Sequence, residues 1–165
     1  MMRWLTRLLT RGEPALSEAR PGDARAIAKL HASAFRRGWS DGEFEQLLID
    51  RSVIAHRATV GRGLGATLGG FIMSRLAAGE AEILSVAVAA ERRGRGLARA
   101  LLNLHLRRLA GLGARAVFLE VDEDNTAARR LYTRAGFREV GRRQGYYQQS
   151  GGPSATALVL RRDLA

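Results

Sequence analysis

The stretch "SVAVAAERRGRGLARALL", Ser85–Leu102, runs from an apolar segment through two glycines and three arginines into a leucine-rich segment. Alternation and apolar content predict a strand ending near residue 89. Helical spacing predicts a helix from Leu97 to Leu112. The first turn of a helix carries unpaired backbone N–H groups and about half a positive charge. Gly94 and Gly96 remove the side chains that would keep a bulky anion from those groups, and Arg93 and Arg95 add charge. Repulsion between neighbouring arginines is relieved once an anion lies between them. A diphosphate that completes this helix start explains the composition; a solvated basic turn is the plainer alternative.

On either side of this stretch the chain alternates strands and helices. "ALSEAR" reads as a short strand, and Pro21, Gly22 and Asp23 open a helix with Ile27, Leu30, His31, Ala34 and Phe35 at helical spacing. "RGWS" breaks it, and "DGEFEQLLID" reads as a second short helix. "SVIAHRATV", "LGGFIMSRLA" and "AEILSVAVA" read as three strands. After the helix at Leu97 come the strand "AVFLEV", a helix from about Thr126 to Ala135, and two closing strands, "FREVGRR" and "ATALVLRR". The expected class is α/β (α+β), a sandwich around a mixed sheet. "GRGLGA", Gly61–Ala66, matches the dinucleotide fingerprint formally, but a strand comes after it where a helix is required, so it reads as a hairpin connection.

A chain of 165 residues with 46% apolar and 26% charged residues fits one globular domain. Residues 16–165 form that expected domain, and residues 1–15 a basic amphipathic extension carrying Trp4, Leu5, Leu8 and Leu9 on one face. With no cysteine there is no disulfide, thiolate metal site or cysteine nucleophile. Three scattered histidines build no metal site. His105 falls in the inward stripe Leu101, His105, Leu109, Leu112 of its helix and reads as a core histidine; His31 and His56 carry no functional signal. No apolar run is long enough to cross a membrane, and the expected setting is cytoplasmic. The net charge of +11 rests on 27 basic residues, of which only Lys29 is lysine. Arginine-rich codon usage and an anionic partner both account for it. Aromatics at 6% give little support to RNA binding.

Arg93, Gly96 and Ala98 satisfy the Arg/Gln-x-x-Gly-x-Gly/Ala pattern of the GNAT superfamily of N-acetyltransferases, and "SVAV" is similar to its bulged strand. "FLEVDEDNTAARRLYTRAGF" resembles the RimI type within that superfamily, through Glu120-Val121, Asn125, Leu131-Tyr132 and Gly136-Phe137. RimI-type enzymes acetylate the N-terminal alanine of a ribosomal protein. The resemblance spans about residues 15 to 163. It implies a mixed, mostly antiparallel sheet flanked by helices on both faces, with acetyl-CoA as co-substrate. It further implies that Val86, Ala87 and Val88 pair with the pantetheine arm, and that Arg93, Gly94, Arg95, Gly96, Leu97, Ala98, Arg99 and Asn125 hold the rest of the cofactor.

Acetyl transfer needs a neutral amine to attack the thioester and a proton for the departing thiolate. Glu120 faces the side of its strand opposite Leu119 and Val121, in half-apolar surroundings that suit a base. By resemblance Glu120 is the base and Tyr132 the acid. Read without it, Glu120 is a solvated glutamate and Tyr132 a packing tyrosine. Asn125 is placed both as N-cap and as cofactor contact. Trp39, Tyr146 and Tyr147 are candidate walls of a substrate groove. A peptide α-amine with a pKa near ~8 is roughly one-tenth neutral at pH 7; a lysine near ~10.4 is neutral in about one molecule in 2,500. The chemistry therefore favours a protein N-terminus, with a small amine or lysine acceptor as the second possibility and a ribosome- or RNA-associated binding module without catalysis as the third.

Overall fold

The structure is a computed structural model, and it describes residues 13–145 and 155–164. Among these residues seven strands form one sheet in the order β1-β2-β3-β4-β5-β7-β6. They are β1 (Ala15–Glu18), β2 (Val53–Val60), β3 (Thr67–Ala77), β4 (Glu80–Val88), β5 (Ala116–Asp122), β6 (Arg138–Arg143) and β7 (Ala157–Asp163). Every neighbouring pair is antiparallel except β4 with β5. That parallel pair requires a crossover, supplied by α3 (Leu97–Gly111). The other helices are α1 (Ala24–Ala34), α2 (Asp41–Ile49) and α4 (Thr126–Arg134). The mixed sheet expected from the sequence is therefore present, and the family fold with it.

Two apolar clusters cover the two faces. On one, Leu101, Leu102, Leu106 and Leu109 of α3 pack with Val117, Leu119 and Val121 of β5, Tyr132 of α4, and Phe137. On the other, Ile27 and Leu30 of α1 and Phe44 of α2 pack with Phe71 and Met73 of β3 and Ala87 of β4. Burying each leucine of α3 contributes about 2 kcal/mol. Leu112 departs from the expected inward stripe. Helix α3 ends at Gly111, the Leu112 amide turns back to the Arg108 and Leu109 carbonyls, and its side chain stands 39% exposed.

Local sequence explains the turns. Ser40 caps α2 by accepting from the Glu43 amide while the Glu43 carboxylate accepts from the Ser40 amide, a reciprocal capping box. "GRGLGA" joins β2 to β3 as a hairpin connection with Gly61 and Gly63 at positive φ, so it lacks the helix start that a dinucleotide needs. On the α1/α2 side those helices cover β2, β3 and β4, while Phe118 and Glu120 of β5 stay half-buried on the same face.

Candidate active site

Strands β4 and β5 are paired only from Glu80–Ala116 to Glu82–Phe118. Beyond Phe118, β5 continues to Asp122 and β4 to Val88 without pairing each other, so the sheet splits at its centre. A bulge in β4 marks the parting: Met73 pairs with Ser85 and Ser74 with Ile83, leaving Leu84 as the extra residue. Val86, Ala87 and Val88 remain bonded to β3 on one edge, and their other edge faces the split. Among the described residues, those expected to pair with an extended ligand thus hold an unpaired strand edge.

At the open end of β4 the glycine-rich turn leads into α3. Gly94 and Gly96 sit at φ 75° and 79°, a region side chains strongly disfavour, and a Cβ at either would meet nothing within 4 Å. The glycines are therefore required by backbone conformation and leave the space in front of them clear. Gly96 supplies no side-chain cap, and the first intrahelical bond is Ala100 N–H to the Gly96 carbonyl. The amides of Leu97, Ala98 and Arg99 precede it, in the turn that lacks helical partners. The Leu97 side chain is buried in the core, so only its backbone faces the turn. Beside this helix start lies a pocket of ≈ 180 Å³ lined by Arg92, Arg95, Gly96, Leu97 and Ala100 together with Pro14 and Leu16. Arg93 also anchors the turn. Its Nε donates to the Val88 carbonyl at 3.2 Å and fastens the turn to the end of β4.

Glu120 lies on β5 two residues past the last pairing with β4, on the face opposite Leu119 and Val121. Its surroundings differ from the half-apolar ones expected. Arg143 reaches from β6 across β7 to place Nη1 3.2 Å from Glu120 Oε1, the glutamate side chain being 22% exposed. On the same face the Arg161 guanidinium lies over the Phe118 ring at 5.1 Å. Tyr132 is 7% exposed, its ring edge-on to Phe137 at 5.6 Å, and its hydroxyl bonds to no described residue. Burial pushes its pKa up to about 12, so it is protonated at neutral pH.

Asn125 is the N-cap of α4: Oδ1 accepts from the Ala128 amide at 3.1 Å, which leaves its side-chain NH₂ for any further contact. Trp39 is half-buried. Its ring stacks on His31 at 4.9 Å, and its amide donates to His31 Nδ1 at 3.3 Å. His31 is therefore a structural element of the turn between α1 and α2, and burial lowers its pKa. Tyr146 and Tyr147 lie outside the described residues, as does most of the expected 1–15 extension. Among the described residues no cluster of three or more metal-ligating side chains occurs.

His56, expected to be featureless, is not. Its Nδ1 lies 2.7 Å from His105 Nδ1, and His105 Nε2 lies 2.6 Å from Ser74 Oγ, all three residues being buried. A contact between two ring nitrogens holds one proton, so one histidine donates and the other accepts. Burial, then the neighbouring His56, pushes His105 down to about 3, and burial also lowers His56. Glu18 and Arg108 act on His56 in opposite directions. Because both folded values lie below 6.5, the unfolded chain takes up protons that the folded chain refuses. The stability contributed by this pair is complete above about pH 6.5 and declines as pH falls towards about 3. The melting temperature should drop between pH 7 and pH 4, and His105→Gln should flatten that slope; equal slopes in the two proteins would refute the assignment.

The family model for the acetyltransferase (GNAT) family matches residues 24–137. N-alpha-acetyltransferase RimI of Mycobacterium tuberculosis is 35% identical over 147 residues, covering 86% of this chain and 87% of that protein. Among solved structures, the ribosomal-protein-S18-alanine N-acetyltransferase of Escherichia coli superimposes with a TM-score of 0.82 at 24% identity, covering 93% of this chain and 95% of that one. NAA60 of Arabidopsis thaliana in complex with acetyl-CoA superimposes with a TM-score of 0.81 at 21% identity, covering 92% and 98%. The split sheet, the glycine turn before α3 and these matches lead to one conclusion: the chain belongs to the GNAT family and is an acetyl-CoA-dependent N-acyltransferase.

Proposed function

We propose that the chain transfers the acetyl group of acetyl-CoA to the N-terminal α-amine of a protein, with the N-terminal alanine of a ribosomal protein as the acceptor. The carrying observation is the parting of β4 and β5. It has an anion-ready helix start at one end and Glu120 on the face not covered by α3 and α4. Likeness to an N-alpha-acetyltransferase over most of both chains supports the choice of an α-amine. We take residues 16–165 as the catalytic domain and 1–15 as a basic extension whose last residue, Ala15, already pairs with Thr59. The reading places the enzyme in the cytoplasm.

In this reading the pantetheine arm runs along the free edge of Val86–Val88 and the diphosphate rests on the amides of residues 94–99, with Arg95 beside it. Glu120 takes a proton from the acceptor ammonium, directly or through water, and the neutral amine attacks the thioester. Tyr132 is assigned to the departing sulfur. A phenol at about 12 is a weaker acid than a thiol, so complete proton transfer to the thiolate is uphill. Tyr132 therefore serves chiefly as a hydrogen-bond donor to the developing thiolate, and the proton reaches sulfur only as that charge builds.

Two experiments test this reading. Purified protein mixed with acetyl-CoA and peptides differing in their first residue should release thiol fastest with an N-terminal alanine. Release only with polyamines or with a lysine side chain in an N-blocked peptide would move the acceptor to the second class, and no release with any amine would favour the binding module. Tyr132→Phe should lower turnover by about tenfold or more while leaving acetyl-CoA affinity nearly unchanged. Equal losses in both would make the tyrosine a binding wall.

A further inference from the structure

Ser85 sits at the β4 bulge with 6% of its surface exposed, and its hydroxyl is buried with no hydrogen-bond partner among the described residues. Buried hydroxyls in folded proteins are almost always paired, because an unpaired one forfeits its bonds to water and gains nothing. Its location narrows what the missing partner is. Met73, its cross-strand partner, belongs to the cluster on the α1/α2 face, so Ser85 points to that face, the one on which Glu120 lies. Its height is set by the pairing. Glu120 lies two residues past Phe118; Ser85 lies three past Glu82, with Leu84 taken up by the bulge. The two side chains therefore stand at the same level and on the same face of the strands that separate.

We propose that Ser85 is a further catalytic residue whose hydroxyl donates to the carbonyl oxygen of the acetyl thioester. An acyl group seated at the head of the split has Glu120 on the β5 side and Ser85 on the β4 side. When the amine nitrogen attacks, the C=O electron pair moves onto oxygen and the Ser85 O–H meets that charge. As the tetrahedral carbon collapses, the pair returns, the C–S bond breaks and the thiolate leaves, while the surplus proton of the attacking nitrogen passes through solvent to that thiolate; Ser85 keeps its own proton throughout. Turning the hydroxyl towards the split is a rotation between staggered χ1 wells. The bulge then does two things at once: it parts the strands and delivers a donor to the reacting centre.

The inference rests on the acetyl-transfer reading, and the experiment separates the two. Wild type, Ser85→Ala and Ser85→Cys are compared by thermal melting without ligand, by titration with acetyl-CoA and with CoA, and by turnover of the alanine peptide. Removing an unpaired hydroxyl should leave the ligand-free melting temperature of Ser85→Ala unchanged or raised. Acetyl-CoA affinity should fall about threefold or more while CoA affinity stays the same, and turnover should fall about tenfold or more, with Ser85→Cys between the two. A ligand-free melting temperature lowered by several degrees, or equal weakening of acetyl-CoA and CoA, would assign Ser85 a structural role and overturn the proposal. If wild type binds acetyl-CoA but acetylates no peptide, the acceptor reading fails while the affinity comparison still decides the role of Ser85.

Discussion

Gly96→Val should weaken acetyl-CoA binding by at least about a hundredfold while the protein still folds. Gly96 holds φ at 79°, and valine there must either bear strain of about 1–3 kcal/mol or rotate the turn away from it. Rotation turns aside the amides of Leu97, Ala98 and Arg99 that the diphosphate needs, and bonds to a charged acceptor contribute about 1.5–3 kcal/mol each. No atom of the core lies within 4 Å of the added Cβ, so the damage stays in the turn. The measurement is the rise in melting temperature on adding acetyl-CoA, which at a hundred times the dissociation constant reports about 2.7 kcal/mol. The variant should show almost no rise at the concentration that saturates wild type. A rise equal to that of wild type would remove the helix start from cofactor binding.

The other large effect is expected at Glu120. Glu120→Gln keeps the shape and an acceptor for Arg143 but takes away the group that receives the amine's proton. Turnover of an alanine peptide near neutral pH should fall by about 10²–10⁴ with acetyl-CoA affinity unchanged. The remaining activity should climb with pH up to the acceptor's own pKa near ~8, because above it the amine is neutral without help. A variant as active as wild type would assign deprotonation to water or to another group. One that has lost acetyl-CoA affinity would place the carboxylate against the cofactor.

The elements of the fold were legible because each carries its period openly. Leu101, His105 and Leu109 mark the buried face of α3, and Leu119, Glu120 and Val121 mark the two faces of β5. The decoy "GRGLGA" differs from the working "RGRGLA" in the element it leads into, a strand in one case and a helix in the other. Pairings between distant residues left no local trace. Arg143 sits beside Glu120 only because β7 inserts between β5 and β6, and His56 meets His105 across 49 positions because α3 folds back over β2. Arg93 reads in the sequence as a charge for the anion; that its Nε also fastens the turn to the Val88 carbonyl is visible only in the fold. Trp39 reads in the sequence as a candidate groove wall; its stack on His31 is a contact no spacing rule encodes. Ser85 was visible only as part of an apolar strand, and its unpaired hydroxyl emerges from the bulge.

The most direct measurement is a crystal structure of the protein with acetyl-CoA bound. Diphosphate oxygens within hydrogen-bond distance of the main-chain amides of residues 94–99, with the pantetheine arm running between β4 and β5, is the predicted result. A diphosphate bound at any other part of the surface, with that turn facing only water, would contradict the account at its root.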